Sequence, residues 1–310
     1  MNIEALPHDG IDSVVTIGKF DGVHRGHRAV IDSLRRVANG RRVVAVTFDR
    51  HPLELFSPHT APRPLLSIAQ KIEALHEAGA DRVVVIPFTQ ETAELLPRDF
   101  VDTVIVEGLS ASLVMVGADF RFGHNGAGTV SVLRELGAAR GFSVEVQDDV
   151  CRDGGRDKVS STAIRLALDS GDVTSAAELL GRPHRMRGLV VHGHQRGRNL
   201  GYPTVNLEEN SEGYIPAAGV YAGRVSVGGS TYIAGISVGK NPTFHDVTRN
   251  QVEAHAMDAE FDAYGQVAEI EFTHRVRDLT AFTTVDDLIV AIHRDMDVIR
   301  ALVARGELLI

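Results

Sequence analysis

Apolar positions in the first half of the chain form short β-branched runs that alternate with segments of helical spacing. Residues 14–17, 43–48, 82–86, 113–116 and 142–146 are runs of the first kind. Between them, Ala29, Val30, Leu34 and Val37 share one face of a helix, and Ile68, Ile72 and Leu75 repeat at the same spacing. Phe100, Val101, Val104 and Ile105 mark a further helix begun near Pro97, and residues 129–140 mark another. Strand and helix in alternation predict a Rossmann-like parallel sheet wrapped by helices, with ligands at the carboxyl ends of the strands.

The rhythm changes near Gly181-Arg182-Pro183. Strand-like runs follow at 189–191, 220–227, 232–238, 252–257 and 267–272, and Gly228-Gly229 between two of them reads as a hairpin turn. This pattern predicts an antiparallel barrel or sandwich, closed by a helix over 285–303. Without an internal repeat or a low-complexity linker, the expected division is a first domain at 1–181 and a second at 182–310.

Composition narrows the function classes. With 310 residues, two domains are expected. An apolar fraction of 44% supplies a core that needs no covalent staple. Cys151 is the only cysteine, which excludes an internal disulfide and a multi-cysteine zinc site and fits a cytoplasmic protein. The start of the sequence lacks the basic and apolar stretches of a signal peptide, and no apolar run is long enough to span a bilayer, so no membrane partner is expected. A net charge of −9 argues against a general nucleic-acid binder and for small molecules held at local sites.

The segment from Gly18 to His27 follows the first strand and opens the first helix. Gly18, Gly22 and Gly26 let the backbone bend and approach a ligand, and free amides at a helix start favour phosphate. His24 and His27, three apart, can hold ATP phosphates and stabilise departing pyrophosphate. Read alone, the pair is also compatible with surface histidines on a glycine turn, or with a metal pair. The full stretch, including Phe20 and Asp21, is similar to the motif G-x-F-D-G-x-H-x-G-H of bacterial FAD synthetases, members of the nucleotidylyltransferase superfamily. The Walker pattern of P-loop kinases is absent from the chain.

Further segments extend this resemblance. Residues 47–52 match a loop in which the family usually has proline where this chain has Arg50. The loop with Gly117, Asp119, Phe122 and Asn125 resembles the family's flavin and nucleotide contacts. Residues 159–165 match V-S-S-T-x-I-R; Ser161 and Thr162 can cap a helix or touch phosphate, with Arg165 one turn on, aimed at the triphosphate. Adenylyl transfer implied by the family needs alignment and charge neutralisation, and no obligatory base, because the attacking FMN phosphate is already ionised.

In the second half, Gly193, Arg196, Gly197, Gly201, Pro203, Thr204 and Asn206 belong to a stretch that looks like the riboflavin kinase signature G-R-x-L-G-[FY]-P-T-A-N, with Val205 in place of alanine. The resemblance implies that Thr204 and Asn206 hold Mg²⁺ with ATP, as hard-oxygen donors can. Glu253 occupies the place of the family's proposed base. It stands in an otherwise apolar strand, where a carboxylate without a task is costly, although a salt-bridged structural glutamate is the alternative. Leu279 replaces a common acidic residue. The resemblance covers about residues 12–304 and implies a bifunctional enzyme that phosphorylates riboflavin to FMN and adenylylates FMN to FAD. ATP, riboflavin, FMN and FAD are then its partners, Mg²⁺ accompanies ATP, the flavins are substrate and product, and flavoproteins are its clients. The alternatives are a chain that keeps one of the two activities, or a non-catalytic flavin-binding regulator.

Overall fold

The computed structural model describes residues 6–151, 158–192, 204–239, 251–259 and 263–309. The chain forms two compact units, Met1–Ser160 and Ser161–Ile310.

In the first unit, strands β1 (Ser13–Ile17), β2 (Arg42–Phe48), β3 (Arg82–Ile86), β4 (Ala111–Gly117) and β5 (Ser143–Gln147) form one sheet in the order β3-β2-β1-β4-β5. Every pair is parallel. Side chains leave a strand alternately to its two faces, and both faces are covered here. Val15, Ile17, Val44, Val46, Val114 and Val116 pack against Phe100, Val104, Ile105 and Leu133. Val14, Val43, Ala45, Leu113 and Met115 pack against Ile31, Leu34 and Leu75. The last set comes from α1 (Arg25–Val37) and α3 (Ile68–Glu77). The strand order reverses at β1 and β4, so the crevice at their carboxyl ends is the expected ligand position for such a sheet.

Two short helices escaped the sequence pattern, α2 (Pro52–Phe56) and α4 (Gln90–Glu94), because five residues carry too little periodicity. Caps define them instead: His51 accepts from Leu53 N–H, and Thr89 from Thr92 N–H. The helix expected from Pro97 is a four-residue α5 (Pro97–Phe100) that widens into a π-helix at Val101–Gly108. Helix α6 (Val130–Arg140) begins on the Thr129 cap and ends at Gly141 in the left-handed conformation.

The second unit opens with α7 (Ser161–Ser170) and α8 (Val173–Leu180). Strands β6 (His184–Val191), β7 (Thr204–Leu207), β8 (Gly219–Val227), β9 (Ser230–Gly239), β10 (Gln251–Ala256) and β11 (Val267–Arg277) follow. They close into a barrel in the order β10-β7-β6-β11-β8-β9, antiparallel throughout, which decides between barrel and sandwich. Gly228 and Gly229 join β8 to β9 with φ of +59° and +81°, the two-residue turn that matches strand twist. Buried residues such as Met186, Val205, Leu207, Ile236, Val252, Ala254, Ile270 and Phe272 fill the interior. Helix α9 (Val285–Ala304) packs Met296, Ile299 and Leu302 on the outer face at Ala222. Arg277 fastens it through a two-pronged ion pair with Asp295, at 2.8 Å on both oxygens.

Tyr214 Oη donates to Asp169 and Arg275 to the Ser170 carbonyl, which binds α7 to the barrel. The change of rhythm near residue 182 coincides with the passage from α8 to β6.

His184, at the start of β6, is wholly inside the second unit. Its Nε2 donates to the Tyr214 carbonyl oxygen at 2.6 Å, and burial holds its pKa down at about 4 from an ordinary 6.5. The folded chain therefore keeps this ring neutral while the unfolded chain protonates it, so stability falls as pH drops from 6.5 towards 4. The full effect is about 3 kcal/mol. Thermal unfolding of the second unit across this window should lose stability more steeply in the wild type than in His184→Gln. Equal slopes would place the acid sensitivity elsewhere.

Candidate active sites

The turn after β1 is shaped by three left-handed residues, Phe20 (φ +48°), Gly22 (φ +84°) and Val23 (φ +41°). Only one of the three glycines in the motif therefore serves the bend, and two bulkier residues share its strain. Gly18 and Gly26 serve close approach instead. A Cβ at Gly18 would stand 3.3 Å from the Phe20 ring, and one at Gly26 would stand 3.1 Å from the His24 ring.

His24 is the N-cap of α1, and its Nδ1 accepts the His27 N–H at 3.4 Å. That bond puts the proton of the neutral ring on Nε2. The two imidazoles stack with centroids 3.6 Å apart and planes at 17°. The buried Phe20 ring meets His27 edge-on at 5.1 Å. No acidic residue lies in the first turn of α1, so its amide ends and macrodipole favour an anion beside the histidines.

Asp21 braces this turn: its Oδ1 accepts the Leu65 N–H at 2.8 Å, tying the turn to the segment before α3. Asp49, just after β2, accepts the Phe88 N–H at 2.7 Å and meets Arg50 at 3.4 Å. Lys19 lies 3.5 Å from His51 Nε2 at the same end of the sheet. Sequence reasoning passed over Lys71, which the fold buries next to these carboxylates.

The loop after β4 presents exposed Asp119, paired with Lys158 at 3.3 Å. Asp119 Oδ1 comes within 3.2 Å of where a side chain on Gly117 would begin. Phe122 is buried against Phe100, with Phe120 stacked on it at 5.5 Å. Gly128 leaves space for its ring. Asn125 is exposed with φ +52°. Ser161, Thr162 and Arg165 open α7 of the second unit; Thr162 is exposed and the other two are half-buried.

On the barrel, burial alternates along β7 and β10. Val205, Leu207, Val252 and Ala254 point inward, so Thr204, Asn206, Glu253 and His255 share the outer face. The register sets Glu253 opposite Asn206 and His255 opposite Thr204. On the other side Glu253 faces Ser237 of β9. Directly opposed residues have Cβ atoms about 5 Å apart, within reach of one small ligand group. The Asn206 amide nitrogen donates to Thr204 Oγ1 at 3.2 Å. His255 is a member of this face to which the motif reading gave no role. Leu279 packs on Gly239 at the end of β9 and adds an apolar edge there. Gly193, Arg196, Gly197, Gly201 and Pro203 lie outside the described residues.

Among the described residues, no group of three or more His, Cys, Asp or Glu is placed to hold a metal ion. No helix among them is long and apolar enough to cross a membrane.

The FAD synthetase family model matches residues 6–163, and the riboflavin kinase model matches residues 180–303. The bifunctional riboflavin kinase/FMN adenylyltransferase of Escherichia coli K12 is 35% identical, over 95% of this chain and 93% of its own length. This chain belongs to the bifunctional riboflavin kinase/FMN adenylyltransferase family. Members from Pseudomonas fluorescens and Bacillus subtilis are 37% and 33% identical, over 94% and 91% of this chain and 93% and 90% of their own. A crystal structure named as a macrolide-efflux protein from Streptococcus pneumoniae matches with a TM-score of 0.87 at 33% identity, over 96% of this chain and 97% of that one. That likeness extends the fold over both units. As a member of the family, the chain has both activities, a kinase that makes FMN and an adenylyltransferase that makes FAD.

Proposed function

We propose that the two reactions divide between the two sets of residues described above. FMN forms on the outer barrel face with Glu253 as base, and FAD forms at the carboxyl end of the parallel sheet with His24 and His27. The observation that carries the first assignment is the register, which sets a carboxylate opposite an amide and beside a hydroxyl on one half-buried surface. The riboflavin 5′-hydroxyl is a poor nucleophile. Glu253 takes its proton as the oxygen bonds to the γ-phosphorus of ATP, and the bond to the β-phosphate oxygen breaks to release ADP. For FAD, an FMN phosphate oxygen bonds to the α-phosphorus and pyrophosphate departs. His24 and His27, at the amide end of α1, stabilise the charge that develops there.

The functional domains are read as 1–181 for adenylyl transfer and 182–310 for the kinase, although α7 and α8 fold with the second compact unit. Gly18, Phe20, Asp21, Gly22 and Gly26 shape the phosphate turn. Gly117, Asp119, Phe122 and Asn125 form or support a flavin and nucleotide loop. Ser161, Thr162 and Arg165 are assigned to nucleotide binding on the resemblance of their segment, and Gly193, Arg196, Gly197, Gly201 and Pro203 on that of theirs. A cytoplasmic setting accords with the lone Cys151.

Thr204 and Asn206 fit Mg²⁺ by donor chemistry. The hydroxyl and the amide lie 3.2 Å apart, and a flip of the amide presents its oxygen beside the hydroxyl. When bound, Mg²⁺ would neutralise phosphate charge during transfer. The test is removal of divalent metal with EDTA, followed by readdition. Both FMN and FAD formation should stop and return with Mg²⁺. Full turnover in EDTA would overturn the metal assignment.

A further inference from the structure

Lys71 stands in the first turn of α3 and is only 7% exposed. A lysine is seldom so buried, because its ammonium loses hydration that only specific partners replace. Its Nζ donates to the carbonyl oxygen of Phe48, the last residue of β2, at 3.2 Å. The charges that face it come from Asp21 in the turn after β1, Asp49 after β2 and Glu54 in α2. Burial pulls the Lys71 pKa below its ordinary value, against the opposing pull of these carboxylates.

Asp21 and Asp49 are both engaged as braces, on the amides of Leu65 and Phe88. They stand at the carboxyl end of the sheet, where two polyanions, ATP and FMN, have to meet. Each carboxylate there raises the electrostatic cost of binding. We infer that Lys71 is a positioning residue for FMN adenylylation: its buried ammonium offsets the Asp21 and Asp49 carboxylates, so that charged braces can hold the turns without repelling the anionic substrates. The inference rests on the proposed placement of adenylyl transfer at this end of the sheet. Lys71 acts through the turns and their field.

The experiment is steady-state conversion of FMN and Mg-ATP to FAD by the full chain, with Lys71→Met, Lys71→Arg, Asp49→Asn and the double variant K71M/D49N. One unit charge at this range in partly hydrated protein changes anion affinity by about tenfold. Lys71→Met should raise KM for both FMN and ATP by about that factor, with a smaller change in kcat. Lys71→Arg should stay near wild type. K71M/D49N should recover most of the loss, because asparagine keeps the acceptor for Phe88 N–H and drops the charge. Riboflavin phosphorylation should be unchanged in all four proteins.

A lysine that merely fills space would leave both KM values unmoved in Lys71→Met and gain nothing from Asp49→Asn; either result overturns the inference. Should Lys71→Met lose the unfolding transition of the first unit, Asp49→Asn alone decides, since it must lower both KM values. His27→Ala separates this inference from the placement beneath it. If that variant makes FAD normally, the placement has failed. If it loses FAD synthesis while Lys71→Met keeps wild-type KM values, only the role of Lys71 has failed.

Discussion

Glu253→Gln is expected to lose most riboflavin phosphorylation while still converting supplied FMN to FAD. Glutamine keeps the size and polarity of the side chain on β10, where it faces Asn206 on one side and Ser237 on the other, so the barrel should fold. What it loses is basicity. A positioned general base contributes about 10²–10⁴ in rate, and the loss should fall on kcat more than on riboflavin affinity, because the proton moves in the transition state. Two reactions measured in parallel decide it, riboflavin with ATP and FMN with ATP, for wild type and variant. Near wild-type phosphorylation would remove Glu253 from the role of base. Failure of both reactions would make it a structural glutamate.

The second large effect concerns the stacked histidines. His27→Ala should reduce FAD formation by about 10²–10³, the usual cost of losing one donor to a developing charge, and spare FMN formation. The substitution also removes the stack on His24 and the edge contact with Phe20. A preserved unfolding transition for the first unit therefore belongs to the test. Chromatography of the products gives the answer, and unchanged FAD output would remove His27 from the site.

Most strands and the long helices were readable in the sequence because apolar runs and faces mark them, though the runs at 189–191 and 267–272 caught only parts of β6 and β11. The runs at 14–17, 43–48 and 82–86 became β1, β2 and β3 with ends shifted by a residue at most. The four-residue β7 was not read as a strand, since so short an element has little pattern of its own. The motif turn was readable as a candidate for phosphate chemistry but not as geometry. That Phe20 and Val23 would take left-handed conformations, or that Gly26 would make room for an imidazole, follows from packing that no local pattern encodes. Lys71 resembles any surface lysine on an amphipathic helix, and His184 any strand boundary; both are buried by segments far away in the chain.

The alternation along β7 and β10 makes the proposed kinase face a matter of parity. Even positions of β7 carry Thr204 and Asn206, and the odd ones only fill the barrel. A register slip of one residue would turn Glu253 inward and present Ala254 in its place, whereas a slip of two would keep carboxylate chemistry on the correct side. Val205 stands at the alanine position of the signature that this stretch resembles, and it falls in the odd class at 1% exposure. Its extra methyl groups change the volume packed inside and leave the reacting surface alone. Substitutions in this strand thus sort into two independent sets, one free to drift with the core and one that the proposed ATP and flavin contacts would hold.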